Sequence, residues 1–427
     1  MPPASDIAPQ TGEMDRRTFV ALAASLVMPA APAFGEAPVS ATIKPFHLAI
    51  PDTVLADLRE RLSRTRWPDR ETVADTSQGP QLAKIQALCE HWRTGYDWRA
   101  CEVLLNSFGQ HTATIDSQEL YFLHVRSPEP DALPLLMMHG WPGSVLEFRK
   151  VIGPLTDPAA HGGDPRRAFH VVAPAMPGFG FSAKPTSTGC GLPQIADLYI
   201  KLMAELGYAR WGMQGGDLGA GIADAIARKK PAGLVGAHMN FAMVMPTPEE
   251  MAQASPEERA MLDDAKHFWD DLSGYAKQQS TRPQTIGYSL ADSPSGLAAW
   301  IYGMFQDTGA TRGDAEASFS QDEMLDDIMM YWIPNTGASA ARLYWELSKA
   351  GGPAGGQPKG PIINPTGFTM LKQEHVRISK RWAEQRYSNV VFFNGEQDGG
   401  HFAALERPQV LVNDIRATFA RLSEGAA

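Results

Sequence analysis

Five short apolar runs, each closing on or near a glycine, proline or aspartate, restrict what this chain can fold into. They are ALPLLMMHGWPG (132–143), FHVVAPAMPGFG (169–180), ARWGMQGGDLG (209–219), GLVGAHMNF (233–241) and NVVFFNGEQDGGH (389–401). Runs this short between helical patterns read as strands buried on both faces, the signature of a parallel, doubly wound α/β sheet. Ligands of such sheets bind beyond the carboxyl ends of the strands. His139, Trp141, Asp217 and the loop leading to His401 all fall there. The stretch between the fourth and fifth runs is rich in Trp, Tyr and Met and far too long for a connection, so it reads as an inserted helical lid. SKAGGPAGGQPKGP (348–361) then reads as a flexible return to the sheet.

Upstream, PFHLAIPDTVLADLRERLSRTRWPD (45–69) places Leu55, Leu58 and Leu62 on one helical face, with Asp52 set to cap the helix after Pro51. A second helical stretch, AKIQALCEHWRTGYDWRACEVLLNSFGQ (83–110), carries Trp92, Tyr96 and Trp98. These aromatics are expected to pack on something larger. The segments are signal peptide (1–38), arm and first strands (39–125), core (126–243), lid (244–350) and returning core (351–427).

Composition narrows the function. With 38 Lys and Arg against 48 Asp and Glu, the net charge is −10 and no basic block stands out, which argues against a nucleic-acid partner. The three cysteines have neither metal-ligand nor disulfide spacing. MDRRTFVALAASLVMPAAPAFGEA (14–37) joins an Arg16-Arg17 pair to an apolar run and an Ala-Pro-Ala end. It is too short to span a bilayer and has the form of a cleavable twin-arginine signal, implying export to the periplasm. A disordered, alanine-rich leader is the alternative.

The run ending in GGDLG puts a carboxylate at a tight strand-to-helix turn, where nucleophiles sit in α/β-hydrolases. At a helix N-terminus Asp217 stays ionised and can attack an electrophilic carbon to form an ester. Asp is also a favoured N-cap, but a cap does not need Gly215, Gly216 and Gly219 around it. His401, on the loop after the last run, follows the nucleophile–acid–histidine order and can activate the water that cuts such an ester. In HGWPGS (139–144), the Trp141 N–H, together with the Leu218 N–H, is placed for an oxyanion hole. A plain Gly-Pro turn is the other reading of that loop.

Taken together, these segments resemble the epoxide hydrolases of the α/β-hydrolase superfamily, in the microsomal-type branch with an N-terminal arm. The matching stretches are the 45–69 helix, WRTGYDWRACEVLLNSF, HGWPGSVLEF, GGDLG, GYAKQQSTRPQTIGYSLADSPSGLAAWI, RLYWE and GGHFAALERP, in the family's order from Phe46 onward. The resemblance implies an α/β-hydrolase fold with a helical lid and arm, Asp217 as nucleophile and His401 as base. It also implies Tyr275 and Tyr344 as donors to the epoxide oxygen, and Glu374 of MLKQEHVRISKRW as acid partner. The family's Phe-Pro upstream of that acid is replaced by Leu371-Lys372 and a downstream Pro by Ser379, so Glu396 and Asp398 stay in reserve. Leu218 stands where many members have Trp.

The expected activity is cofactor-independent hydrolysis of a small apolar epoxide to a vicinal diol, with no transmembrane segment and with homo-oligomerisation left open. A haloalkane dehalogenase would share the Asp elbow but needs halide-holding donors such as a Trp after the nucleophile. A non-catalytic binding protein of the same fold is the other alternative.

Overall fold

The chain is described here by a computed structural model covering residues 42–242, 244–351 and 360–424. The expected signal peptide and most of the glycine-rich return lie outside the described residues.

The apolar runs form the middle and one end of a nine-stranded sheet. Its strands are β1 (Thr42–Pro45), β2 (Gln110–Ile115), β3 (Gln118–Val125), β4 (Leu133–Met138), β5 (Phe169–Pro174), β6 (Trp211–Gly215), β7 (Leu234–Met239), β8 (Thr366–Thr369) and β9 (Val390–Asn394). Their spatial order is β1-β2-β3-β5-β4-β6-β7-β8-β9. The first three pair antiparallel and β3 lies antiparallel on β5, whereas every pair from β5 to β9 is parallel. Residues of β5 and β6 are buried throughout. This is why their sequences run apolar without alternating: helices cover both faces.

β8 is the strand the sequence hid. TGFT is four residues long with a Gly inside, too short and too weakly apolar to register as a run. It is ordered by pairing with β7 and β9.

The arm departs from expectation in two places. Pro51, not Asp52, occupies the N-cap position of the helix Asp52–Ser63; the Asp52 carboxylate instead accepts from Arg99 at 2.5 Å. The stretch 83–110 is two helices, Leu82–Thr94 and Trp98–Ser107. The N–H groups of Gly95 and Tyr96 both turn back to the His91 carbonyl, and Asp97 caps a new helix by accepting from the Arg99 N–H.

Leu55, Leu58, Leu62, Trp92, Tyr96 and Trp98 are all buried. What they pack against includes the lid, whose helices lie between β7 and β8. Trp92 Nε1 meets Met329 Sδ at 3.3 Å, and Tyr96 Oη donates to Asp326 Oδ1 at 2.6 Å. Arm and lid therefore share one core. Trp92→Ala is expected to lower unfolding stability by about 3–5 kcal/mol, measured by urea denaturation; a loss below about 1 kcal/mol would mean the arm is only loosely held.

Candidate active site

At the carboxyl end of β6 the backbone turns sharply into the helix Asp217–Lys229. Gly216 is the N-cap, in an extended conformation, so Asp217 is not the cap but the first helical residue. Asp217 itself takes φ 47°, in the left-handed region, which costs an L-residue of order 1 kcal/mol and is best tolerated by Asn and Asp. Close packing requires the small neighbours. A Cβ on Gly219 would lie 2.0 Å from the Met138 carbonyl oxygen, and one on Gly140 would lie 2.2 Å from Asp217 Oδ1.

Three separate segments meet at this carboxylate. Trp141 N–H donates to Asp217 Oδ1 at 3.0 Å, and the Leu218 N–H supports the same charge. The other oxygen, Oδ2, lies 3.7 Å from His401 Nε2. On the far side of the imidazole, His401 Nδ1 is 2.5 Å from Glu374 Oε2. Glu374 is fixed in turn by the Val376 N–H on its Oε1 at 3.0 Å, and the His401 N–H is held by the Thr308 carbonyl at 2.9 Å. The reserve carboxylates lie elsewhere: both are exposed, Glu396 pairing with Lys372 and Asp398 lying against Gln373.

The lid brings in the tyrosines. The Tyr275 ring stacks on the Trp141 indole with centroids 4.7 Å apart, and Tyr344 meets the same indole edge-on at 5.8 Å. Trp141 thus serves the site twice, its backbone facing Asp217 and its side chain seating both phenols. Asp217, Leu218, Tyr275, Tyr344, Glu374 and His401 line one cavity of about 50 Å³, together with Phe241, Phe268, Trp269, Met304, Leu347 and Val376. Phe268 and Trp269 belong to a π-helical turn, Phe268–Leu272. Sequence reasoning did not single out these apolar linings, since nothing distinguishes a pocket-facing aromatic from a core one before the lid is placed. Among the described residues no group of three or more His, Cys, Asp or Glu side chains is set to hold a metal ion, and no helix is long and apolar enough to cross a membrane.

Burial and charge set the protonation states. Burial would lower the His401 imidazole, but the Glu374 carboxylate, then Asp217 and Glu147, outweigh it and raise His401 to about 10. Burial likewise acts to raise Glu374, yet His401 and the Val376 N–H hold it below the usual carboxylate range. Asp217 is pushed up by burial against the opposing pull of His401 and the two backbone N–H groups. Both phenols are raised by burial, with the Asp217 charge adding to it, so they stay protonated as donors.

Residues 43–148 match the family described as Epoxide hydrolase N terminus, and residues 134–268 match the alpha/beta hydrolase fold. A protein of Stigmatella aurantiaca bearing the epoxide hydrolase name is 50% identical over 380 residues, covering 89% of this chain and 85% of that one. Epoxide hydrolase 1 of Sus scrofa is 32% identical over 409 residues, covering 90% of each chain. Among solved structures, juvenile hormone epoxide hydrolase from the silkworm Bombyx mori superposes with a TM-score of 0.83 at 26% identity, covering 90% of this chain and 96% of that one. Aspergillus niger epoxide hydrolase gives 0.80 at 29%, covering 92% and 100%. The fold is that of the α/β-hydrolases.

His401 holds its proton more tightly folded than unfolded, where its pKa is about 6.5. Its contribution to stability is therefore complete below about pH 6.5 and is lost as pH rises towards 10. Urea midpoints taken from pH 6 to 10 should fall across that window, and Glu374→Gln, which removes the partner charge, should flatten the fall. An equally steep fall in Glu374→Gln would place its origin elsewhere.

Proposed function

This chain belongs to the epoxide hydrolase family, and we propose that it converts an epoxide to a vicinal diol through an ester on Asp217. It is an enzyme of the ether-hydrolysing class. One observation carries the reading: a carboxylate–imidazole–carboxylate line faces two protonated phenols across a single cavity.

In the first step Asp217 Oδ2 attacks a ring carbon, the C–O bond breaks, and a phenol of Tyr275 or Tyr344 protonates the departing oxygen. Oδ1 stays on the Trp141 N–H and becomes the ester carbonyl. Ester formation cancels the Asp217 charge, one of the causes that hold His401 protonated. The proton of His401 then passes to the phenolate left behind, restoring the phenol, and the neutral imidazole becomes a base. In the second step neutral His401 takes a proton from water, hydroxide adds to the ester carbon, and the negative charge collects on Oδ1 against the Trp141 and Leu218 N–H groups. Collapse releases the diol and restores the carboxylate and imidazolium. Glu374 holds the imidazole in its working orientation.

The substrate is apolar, because most of the cavity wall apart from the reacting groups is aromatic and aliphatic. A cavity of about 50 Å³ is far below the 300–1,000 Å³ of ordinary ligand sites, so its lining has to give way to admit the substrate. The twin-arginine pattern at Arg16-Arg17 supports export and a periplasmic location. N-terminal sequencing of protein from the periplasm is expected to begin after about Ala33, and full-length protein confined to the cytoplasm would overturn that.

Single-turnover experiments separate the two steps. Asp217→Ala is expected to give neither diol nor adduct. His401→Gln should open one epoxide per site and stall, seen in intact-protein mass spectra as an added substrate mass. Tyr275→Phe or Tyr344→Phe should slow ring opening by about 2–4 kcal/mol of barrier, by analogy with loss of one oxyanion donor. Folded His401→Gln that never accumulates an adduct would favour direct attack by water.

A further inference from the structure

The loop His139–Ser144 carries the oxyanion donor, yet all of it lies outside helix and strand. Pro142 has no N–H to give. The rings of Tyr275 and Tyr344 hold the Trp141 side chain, and a hydrogen bond from the lid reaches the backbone of the loop itself. Tyr331, on the helix Gln321–Trp332, donates from Oη to the Gly143 carbonyl at 2.7 Å. Its ring is 2% exposed and meets Phe179 edge-on at 6.1 Å. Neighbours on the same helix tie it to the segment that follows: Glu323 pairs with Lys150 at 2.5 Å and Asp326 pairs with Arg149. This helix is a strut anchored to the loop's own continuation, so the hydroxyl is aimed at Gly143 from a fixed base.

We propose that Tyr331 is a positioning residue for the ester-cutting step, holding the His139–Ser144 loop so that the Trp141 N–H stays on Asp217 Oδ1. The inference rests on the two-step reading above and deepens it. The two steps make unequal demands on that N–H. Ring opening removes charge from the carboxylate, so a donor on Oδ1 gains nothing as the reaction proceeds. Ester cleavage builds a full negative charge on Oδ1, and there the donor's position is decisive. Tyr331 touches neither reacting carbon nor water; its effect passes through Gly143 to Trp141, two residues away. Burial, reinforced by the carboxylates of Asp327, Asp217 and Glu147, keeps its phenol protonated and able to donate. The sequence gives no sign of this role, because Tyr331 lies inside the apolar pattern MLDDIMMYW.

The test is Tyr331→Phe, which keeps the ring and removes the hydroxyl, followed in single turnover by intact-protein mass spectrometry. Adduct formation should stay within about twofold of the parent, while adduct decay slows by about tenfold, a modest share of the loss seen when an oxyanion donor is deleted. In steady state kcat and KM should fall together. A merely structural role would instead reduce the fraction of sites that form adduct and leave both rates in the remaining sites unchanged. Ser339→Ala is the control: Ser339 Oγ makes a similar lid-to-core bond, to the Gly178 carbonyl at 2.6 Å, and no hydrogen bond to the oxyanion loop. It should leave the ratio of the two rates at the parental value. Equal slowing of both steps in Tyr331→Phe, unchanged decay, or the same change in ratio in Ser339→Ala would overturn the proposal. A parent enzyme that turns over epoxide with no adduct at all would instead defeat the two-step reading on which it rests.

Discussion

A carboxylate held in left-handed backbone geometry at the end of a buried strand sets the terms for everything around it. Asp217 at φ 47° turns its side chain out of the sheet, and that turn closes only if the neighbouring chain comes very near. Met138 lies where a side chain on Gly219 would go, and Asp217 lies where one on Gly140 would go. The glycines of GGDLG and HGWPGS are therefore two sides of one contact, between the turn that follows β6 and the end of the adjacent β4. Holding β4 and β6 in register brings the Trp141 N–H to Oδ1, and the indole of the same residue then seats both lid tyrosines.

Electrostatics add a second constraint. Glu374, which is buried, and Asp217 and His401, which are mostly buried, are three ionisable groups on one line, and only the imidazolium offsets the two carboxylates. Burying such charges is costly unless each is paired and hydrogen-bonded. Here Glu374 has His401 and the Val376 N–H, and Asp217 has two backbone donors and the imidazole. Such an arrangement is poised for a charge to be removed. In the proposed mechanism, turning Asp217 into a neutral ester removes one of the charges that raise His401 and changes the imidazole from an acid into a base, so the first step switches on the second.

Much of this was legible in the sequence because it is local or strongly patterned. β4, β5, β6, β7 and β9 show as apolar runs, and the elbow shows through glycines that only close approach explains. Other features depend on partners far along the chain. β8 exists because β7 and β9 bracket it, not because TGFT favours a strand. Asp52 looks like a helix cap until Arg99 comes within 2.5 Å. Glu374 sits among substitutions that obscure its surroundings, and the 2.5 Å contact with His401 distinguishes it from Glu396 and Asp398 in a way that spacing does not. Tyr331 is hidden for the same reason: its hydroxyl finds Gly143 188 positions away in the chain.

In the two-step mechanism the oxygen delivered to the substrate comes first from Asp217 and only later from water. Mixing excess enzyme with epoxide in ¹⁸O-enriched water and stopping after one turnover separates it from direct attack by water. The expected product is a diol free of the label, with ¹⁸O in the peptide that contains Asp217, and label appearing in the diol only on later turnovers. Labelled diol in the first turnover, with an unlabelled Asp217 peptide, would contradict it.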